Sequence, residues 1–131
     1  MNAQARMELI AGLLAAIEAG DVDQVRAFYA PDARIWHNFD DREQTVDENL
    51  ATLTWMCGVL DDRHYDVIRR DPVDNGVMQM HVLRGVVKAT VAPFAMHAAL
   101  VVTMSDGRVT RIDEYLDPAA ASSLLRAPTR S

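Results

Sequence analysis

The chain has 131 residues, half of them hydrophobic and 24% charged, with a formal net charge of −6 and a pI near 5.0. A length of this order closes one core or curves one sheet about a cavity, so a single domain over 1–131 is expected, and the acidic balance without a basic stripe argues against nucleic acid and anionic membranes as partners. The lone cysteine, Cys57, excludes an internal disulfide and a thiolate zinc cluster.

In chain order, Met7, Ile10, Leu13, Leu14 and Ile17 recur at helical spacing, and Gly20 supplies a C-terminal stop. Asp21 with Gln24 opens a second, short helix whose apolar face is Val22, Val25, Phe28 and Tyr29, ending at Pro31. Ile35, His37 and Phe39 then alternate with Arg34, Trp36 and Asn38, the period of a strand with one buried face. Thr45 and Glu48 form a capping box for a helix lined by Val46, Leu50, Leu53, Cys57 and Leu60, with Trp55 on its flank. Cys57 reads as a core thiol on that stripe.

Strands follow over Tyr65–Arg70, Val77–Val91, Phe94–Met104 and Arg108–Leu116, with Pro93 separating the middle two. Asn75-Gly76 and Asp106-Gly107 mark hairpin turns, because both pairs tolerate positive φ. Asp117-Pro118 starts a final helix to Leu125, and the tail 127–131, with Pro128, is expected to fray. The mostly apolar run Val91–Met104 is too short to span a membrane, which takes about 20 residues. The N-terminus carries no leader pattern, so a cytoplasmic protein is expected.

Helices first and strands afterwards predict an α+β fold, a cone-shaped curved antiparallel sheet with the N-terminal helices on its concave face around an apolar cavity. With Leu100, Val102 and Met104 inward, Trp36, Val101 and Thr103 leave apolar area on the outer face, which predicts a homodimer through the sheet.

Two titratable groups lie on otherwise apolar strand faces. His37 shares its face with Ile35 and Phe39, and Glu114 shares its own with Ile112 and Leu116. An unpaired carboxylate there is costly, so Glu114 must be paired, protonated or wetted by a cavity. An imidazole oriented by such a carboxylate is the raw material of general acid/base catalysis. Asp113 falls on the opposite face with Arg111 and Tyr115, while His64 and His97 are expected in solvated positions. Tyr29, Phe39, Leu53, Trp55, Met56, Met96 and Leu100 are candidate cavity walls, and seven methionines suit an adaptable apolar site. On the strand Val77–Val91, Met78, Met80 and Val82 are the more apolar face, which leaves open which side points inward.

The segments Ala19-Gly20-Asp21, Phe28-Tyr29-Ala30-Pro31-Asp32-Ala33, His81-Val82-Leu83-Arg84, and Asp106-Gly107-Arg108-Val109 through Tyr115-Leu116-Asp117 resemble the nuclear transport factor 2-like superfamily. The likeness covers nearly the whole chain and is strongest to the SnoaL-like branch, with limonene epoxide hydrolase and ketosteroid isomerase as relatives. It implies that His37 stands where the isomerases keep an aspartate base and the hydrolases a water-orienting asparagine. The isomerase oxyanion donors fall on Leu13 and Leu100, which cannot stabilise an enolate. The hydrolase triad of arginine and two aspartates falls on Gln79, His81 and Glu114, so only its last carboxylate remains. Through the same resemblance Gln79, His81 and Leu83 point inward, and SnoaL-like cyclases put an acid/base group where Glu114 or Asp113 stands.

The expectation is therefore a small-molecule pocket protein, a cofactor-independent acid/base enzyme of isomerase, cyclase, dehydratase or hydrolase type. Its substrate would be a hydrophobic cyclic, polyketide-, terpene- or steroid-like compound. His37, Glu114 and His81 are the expected catalytic groups, with Gln79 positioning the polar end of the ligand. No phosphate-binding glycine loop and no HExxH spacing occur, so neither cofactor nor metal is expected; His37, His81 and Glu114 form the one set resembling a ferrous-iron site. The competing expectation is a non-catalytic ligand-binding or dimeric structural module of the same fold.

Overall fold

The computed structural model describes residues 1–128, so most of the tail 127–131 lies outside the described residues. The elements are α1 (Ala3–Ala19), α2 (Val22–Phe28), β1 (Tyr29–His37), β2 (Arg42–Gln44), α3 (Val46–Val59), β3 (Leu60–Val73), β4 (Gly76–Val87), β5 (Pro93–Ser105), β6 (Arg108–Leu116) and α4 (Pro118–Leu125).

Each helix begins and ends where local chemistry satisfies its free backbone groups. Asn2 caps α1 through the Ala5 N–H, and Gly20 closes it in the left-handed region at φ 73°. Asp21 accepts from the Gln24 N–H at the start of α2. Both halves of the Thr45–Glu48 capping box form at the start of α3. Asp117 caps α4, with Pro118 in its first turn. The C-terminal carbonyls of α1 and α3 meet one side chain, Arg63, whose guanidinium donates to Glu18 O, Cys57 O and Leu60 O.

The six strands form one open mixed sheet in the order β2-β1-β6-β5-β4-β3. All neighbours are antiparallel except β1 and β6, which run parallel. The architecture is the expected α+β one, and the parallel junction is what the all-antiparallel expectation lacked. It lies inside the sheet and lays the first strand of the chain against the last.

Several boundaries differ from the periodicity reading. Tyr29 begins β1 rather than ending α2, and Pro31 sits inside that strand. The ladder to β6 is irregular between Tyr29 and Arg34, so a residue with no N–H is tolerated there. Phe39 lies in the turn beyond β1, and Leu60 belongs to β3 rather than α3. The strand expected to reach Val91 stops at Val87, and Lys88–Val91 is a tight turn in which Val91 has φ 58°. β2 is an additional strand, too short and polar to carry a period in the sequence.

The two hairpin signals both produce turns, by different means. Asp106 and Gly107 both have positive φ, which matches the twist of the flanking strands. At the other turn only Asn75 does. Gly76 is required by space instead: a Cβ there would lie 1.9 Å from the Val102 carbonyl oxygen.

Helices α1 and α3 pack on the inner sheet face, where Ile10, Leu13, Ile35, Leu60, Val102 and Val109 are almost wholly buried. Gln79, His81 and Leu83 are buried on that face, and Leu83 joins the core. Met78, Met80 and Val82 therefore face the outer side, despite being the more apolar set. Cys57 is half-buried rather than a fully enclosed core thiol. Among the described residues no helix is long and apolar enough to cross a membrane.

Candidate active site

His37 and Glu114 are direct register partners across the parallel β1/β6 junction. Side chains at paired positions point to the same face, and here the faces meet: His37 Nε2 lies 3.2 Å from Glu114 Oε1. The two side chains are only 18% and 17% exposed. Two residues 77 positions apart in number (114 − 37) thus become nearest neighbours through the sheet.

Burial alone would push the His37 imidazole down, because a charge is poorly solvated there. The hydrogen bond to Glu114, its charge and that of Asp40 outweigh this, and the pKa lies above the ordinary histidine value. With the carboxylate 3.2 Å from Nε2, the neutral tautomer that suits this partner carries its proton there and keeps its lone pair on Nδ1. That nitrogen is the position from which His37 can take a proton.

Both groups stand in the wall of a cavity of about 550 Å³. Leu53, Trp55, Met56 and Met96 make its apolar surface, and the exposed Phe39 and Leu125 stand at its rim. A smaller inner hollow of about 60 Å³ is lined by Tyr29, Leu100 and Leu13, and it shares Leu53, Tyr65 and Glu114 with the larger cavity. Leu13 and Leu100 give that hollow an apolar wall, in keeping with their inability to hold an oxyanion.

Of the residues singled out in the sequence, the structure gathers His37, Glu114, Phe39, Leu53, Trp55 and Met96 around the cavity, and Tyr29 and Leu100 around the inner hollow. Tyr29 is committed elsewhere by its hydroxyl, which donates to Asn49 Oδ1 at 2.8 Å. His81 and Gln79 are inward but line neither space. They are almost completely buried and bonded to each other, Gln79 Nε2 to His81 Nδ1, at 2.8 Å. Asp113 is on the other face and pairs with Arg111 at 2.9 Å. His64 and His97 are exposed. Among the described residues no three His, Cys, Asp or Glu side chains gather in a metal-holding group.

Four polar contributors escaped the sequence reading: Tyr65, Asp40, Gln44 and Thr52. Gln44 Nε2 donates to Thr52 Oγ1 at 2.9 Å, and Asn49 Nδ2 donates to Gln44 Oε1 at 3.1 Å. The second Gln44 Nε2 hydrogen has no acceptor among the described residues. Tyr65 alternates correctly for an inward strand residue between the exposed His64 and Asp66, which was the available signal. Ala121, Leu124 and Leu125 of α4 also line the cavity, so the C-terminal helix is part of its wall.

Residues 10–112 match the family model of the SnoaL-like domain. No curated protein matches the chain. Among solved structures, IdmH of Streptomyces antibioticus, a candidate polyketide cyclase, is similar at 21% identity and TM-score 0.80, covering 92% of this chain and 97% of that one. AclR of Streptomyces galilaeus, a candidate hydroxylase, is similar at 14% identity and TM-score 0.83, covering 99% and 91%. An epoxide hydrolase of M. tuberculosis, of the limonene epoxide hydrolase-like (LEH-like) type, is similar at 18% identity and TM-score 0.77, covering 95% and 92%. At these identities the likeness is one of fold, and the three bear three different reaction names.

Proposed function

The chain belongs to the SnoaL-like domain family, and from that premise we propose that it is a cofactor-independent acid/base enzyme acting on a hydrophobic cyclic compound of polyketide, terpene or steroid type. The observation that carries this reading is the His37–Glu114 pair, 3.2 Å apart in the wall of a mainly apolar cavity of about 550 Å³. A buried pair that served only the fold would have no need of an open space beside it. In this reading His37 Nδ1 removes a proton from the substrate. The imidazolium formed is stabilised by Glu114, which keeps the ring oriented, and it returns the proton at a second atom. Proton removal and return at different positions is the step shared by isomerisation, cyclisation and dehydration.

The test does not depend on which compound is the natural substrate. A panel of cyclic ketones is incubated with the protein in D₂O, and exchange of the acidic C–H positions is followed by NMR. Exchange above background with the wild type, and its loss in His37→Ala and Glu114→Gln, supports the reading. Equal exchange with and without the two side chains would end it.

As part of the same proposal, the protein works in the cytoplasm as a homodimer joined through the outer sheet face. Trp36 and Tyr115 pack edge to face there at 5.1 Å, and Tyr115 and Val101 remain 61% and 39% exposed in the single chain. Apolar side chains left exposed on a sheet face favour association with a second copy. We expect the wild type to sediment as a dimer and Tyr115→Lys to shift it to monomer.

A further inference from the structure

Behind the cavity wall runs a chain of polar groups that the His37–Glu114 pair does not use. Arg70 donates its Nε–H to Gln79 Oε1 at 2.6 Å. A guanidinium has no acceptor, so the Gln79 amide has one orientation, with its nitrogen toward His81 Nδ1 at 2.8 Å. Nδ1 is therefore the acceptor, and the neutral His81 ring carries its proton on Nε2, which has no hydrogen-bond partner among the described residues. The ring meets Tyr65 edge to face, with centroids 4.9 Å apart and 83° between the planes.

Tyr65 is held from the backbone side as well, where its N–H donates to Glu18 Oε2 at 2.9 Å. It walls both the main cavity and the inner hollow, together with Glu114. Its phenol makes no hydrogen bond among the described residues, and Tyr65 belongs to the wall of both spaces. Tyr29 is the contrast, since its hydroxyl is already used by Asn49.

We propose that Tyr65 is the hydrogen-bond donor of the cavity, that it takes the oxygen acceptor of an apolar ligand, foremost a carbonyl, and that Arg70, Gln79 and His81 form a positioning chain that fixes its ring. The inference rests on the small-molecule reading of the cavity. Burial, with the charge of Glu114 acting in the same sense, holds the Tyr65 phenol far above its usual ionisation range, so it donates a proton bond and does not ionise. A ligand oxygen on Tyr65 places the adjoining carbon in the space shared with Glu114.

The probe is 2-acetylnaphthalene, an apolar ketone with one acceptor, labelled with ¹³C at the carbonyl. Its binding is titrated by fluorescence, and its bound C=O stretch is read by infrared difference spectroscopy. In the wild type the band is expected below its position in alkane solvent. Tyr65→Phe keeps the ring on His81 and is expected to move the band up and weaken binding about 2- to 10-fold, the worth of one neutral hydrogen bond. Gln79→Leu leaves the phenol but frees His81, and is expected to move the band part of the way, a readout that loss of stability alone does not produce.

The same band in the wild type and Tyr65→Phe would overturn the donor. A Tyr65→Phe shift with an unchanged Gln79→Leu band would overturn the positioning chain. A wild type that binds the ketone without any shift defeats this inference and leaves the small-molecule cavity standing, whereas a wild type that does not bind it defeats both.

Discussion

Two histidines on the inner face of one sheet have opposite surroundings. His37 stands at the β1/β6 junction beside a carboxylate and a cavity, and its pKa is raised. His81, on β4, stands beside a neutral amide, enclosed by protein, and burial lowers its pKa. The difference teaches that the hydrogen-bond partner, more than the histidine, sets the chemistry. Glu114 gains when His37 becomes positive. Gln79 cannot, because its oxygen is held by Arg70 and it offers His81 only an N–H, which a protonated ring would have to face with a second N–H.

The comparison breaks first at His37. Its replacement by alanine is expected to lower the exchange rate of a responsive ketone by roughly 10²- to 10⁴-fold, the usual worth of a positioned general base. Near-wild-type exchange in that variant would place the base elsewhere.

Gln79→Leu probes the other histidine and should act mainly on the fold. It leaves His81 Nδ1 and the Arg70 Nε–H without their partner, at a cost of about 1–3 kcal/mol in denaturant unfolding. Unchanged stability would show that the buried chain is replaceable by an apolar side chain.

Glu114→Gln makes the first histidine resemble the second. The His37 pKa, followed by NMR titration of its ring protons, is expected to fall, because the bond and charge that outweighed burial are removed. A value still above the ordinary one would assign the shift to Asp40 instead.

The smallest effect is on stability against pH. A histidine whose folded pKa is raised binds its proton more tightly when folded, so its contribution is complete below the unfolded value of about 6.5 and is lost as pH rises through the raised folded value. Denaturation midpoints of the wild type should decline across that window, and those of Glu114→Gln should not show this component.

Much of the fold was legible because its signals are local. Gly20, the Thr45–Glu48 box, the two hairpin turns and Asp117-Pro118 mark their boundaries through bonds made within a few residues. The inward direction of His37 and Glu114 followed from simple alternation. Phe39 shows where alternation fails, since it continues the pattern after the strand itself has turned. β4 shows the limit of apolarity as a guide. Its greasier face, Met78, Met80 and Val82, lies outward, and its polar one is enclosed because Arg70 and Gln79 satisfy each other there.

What the sequence determined by itself was an α+β order of elements, their caps and turns, and two titratable residues aimed at an apolar interior. Tertiary structure alone decided that β1 lies parallel to β6, so that His37 faces Glu114, and that Tyr65 rather than His81 reaches the cavity. The reason is range: caps and turns are set by bonds between near neighbours in the chain, whereas the register between the first and last strands is set by how the whole sheet packs under its helices.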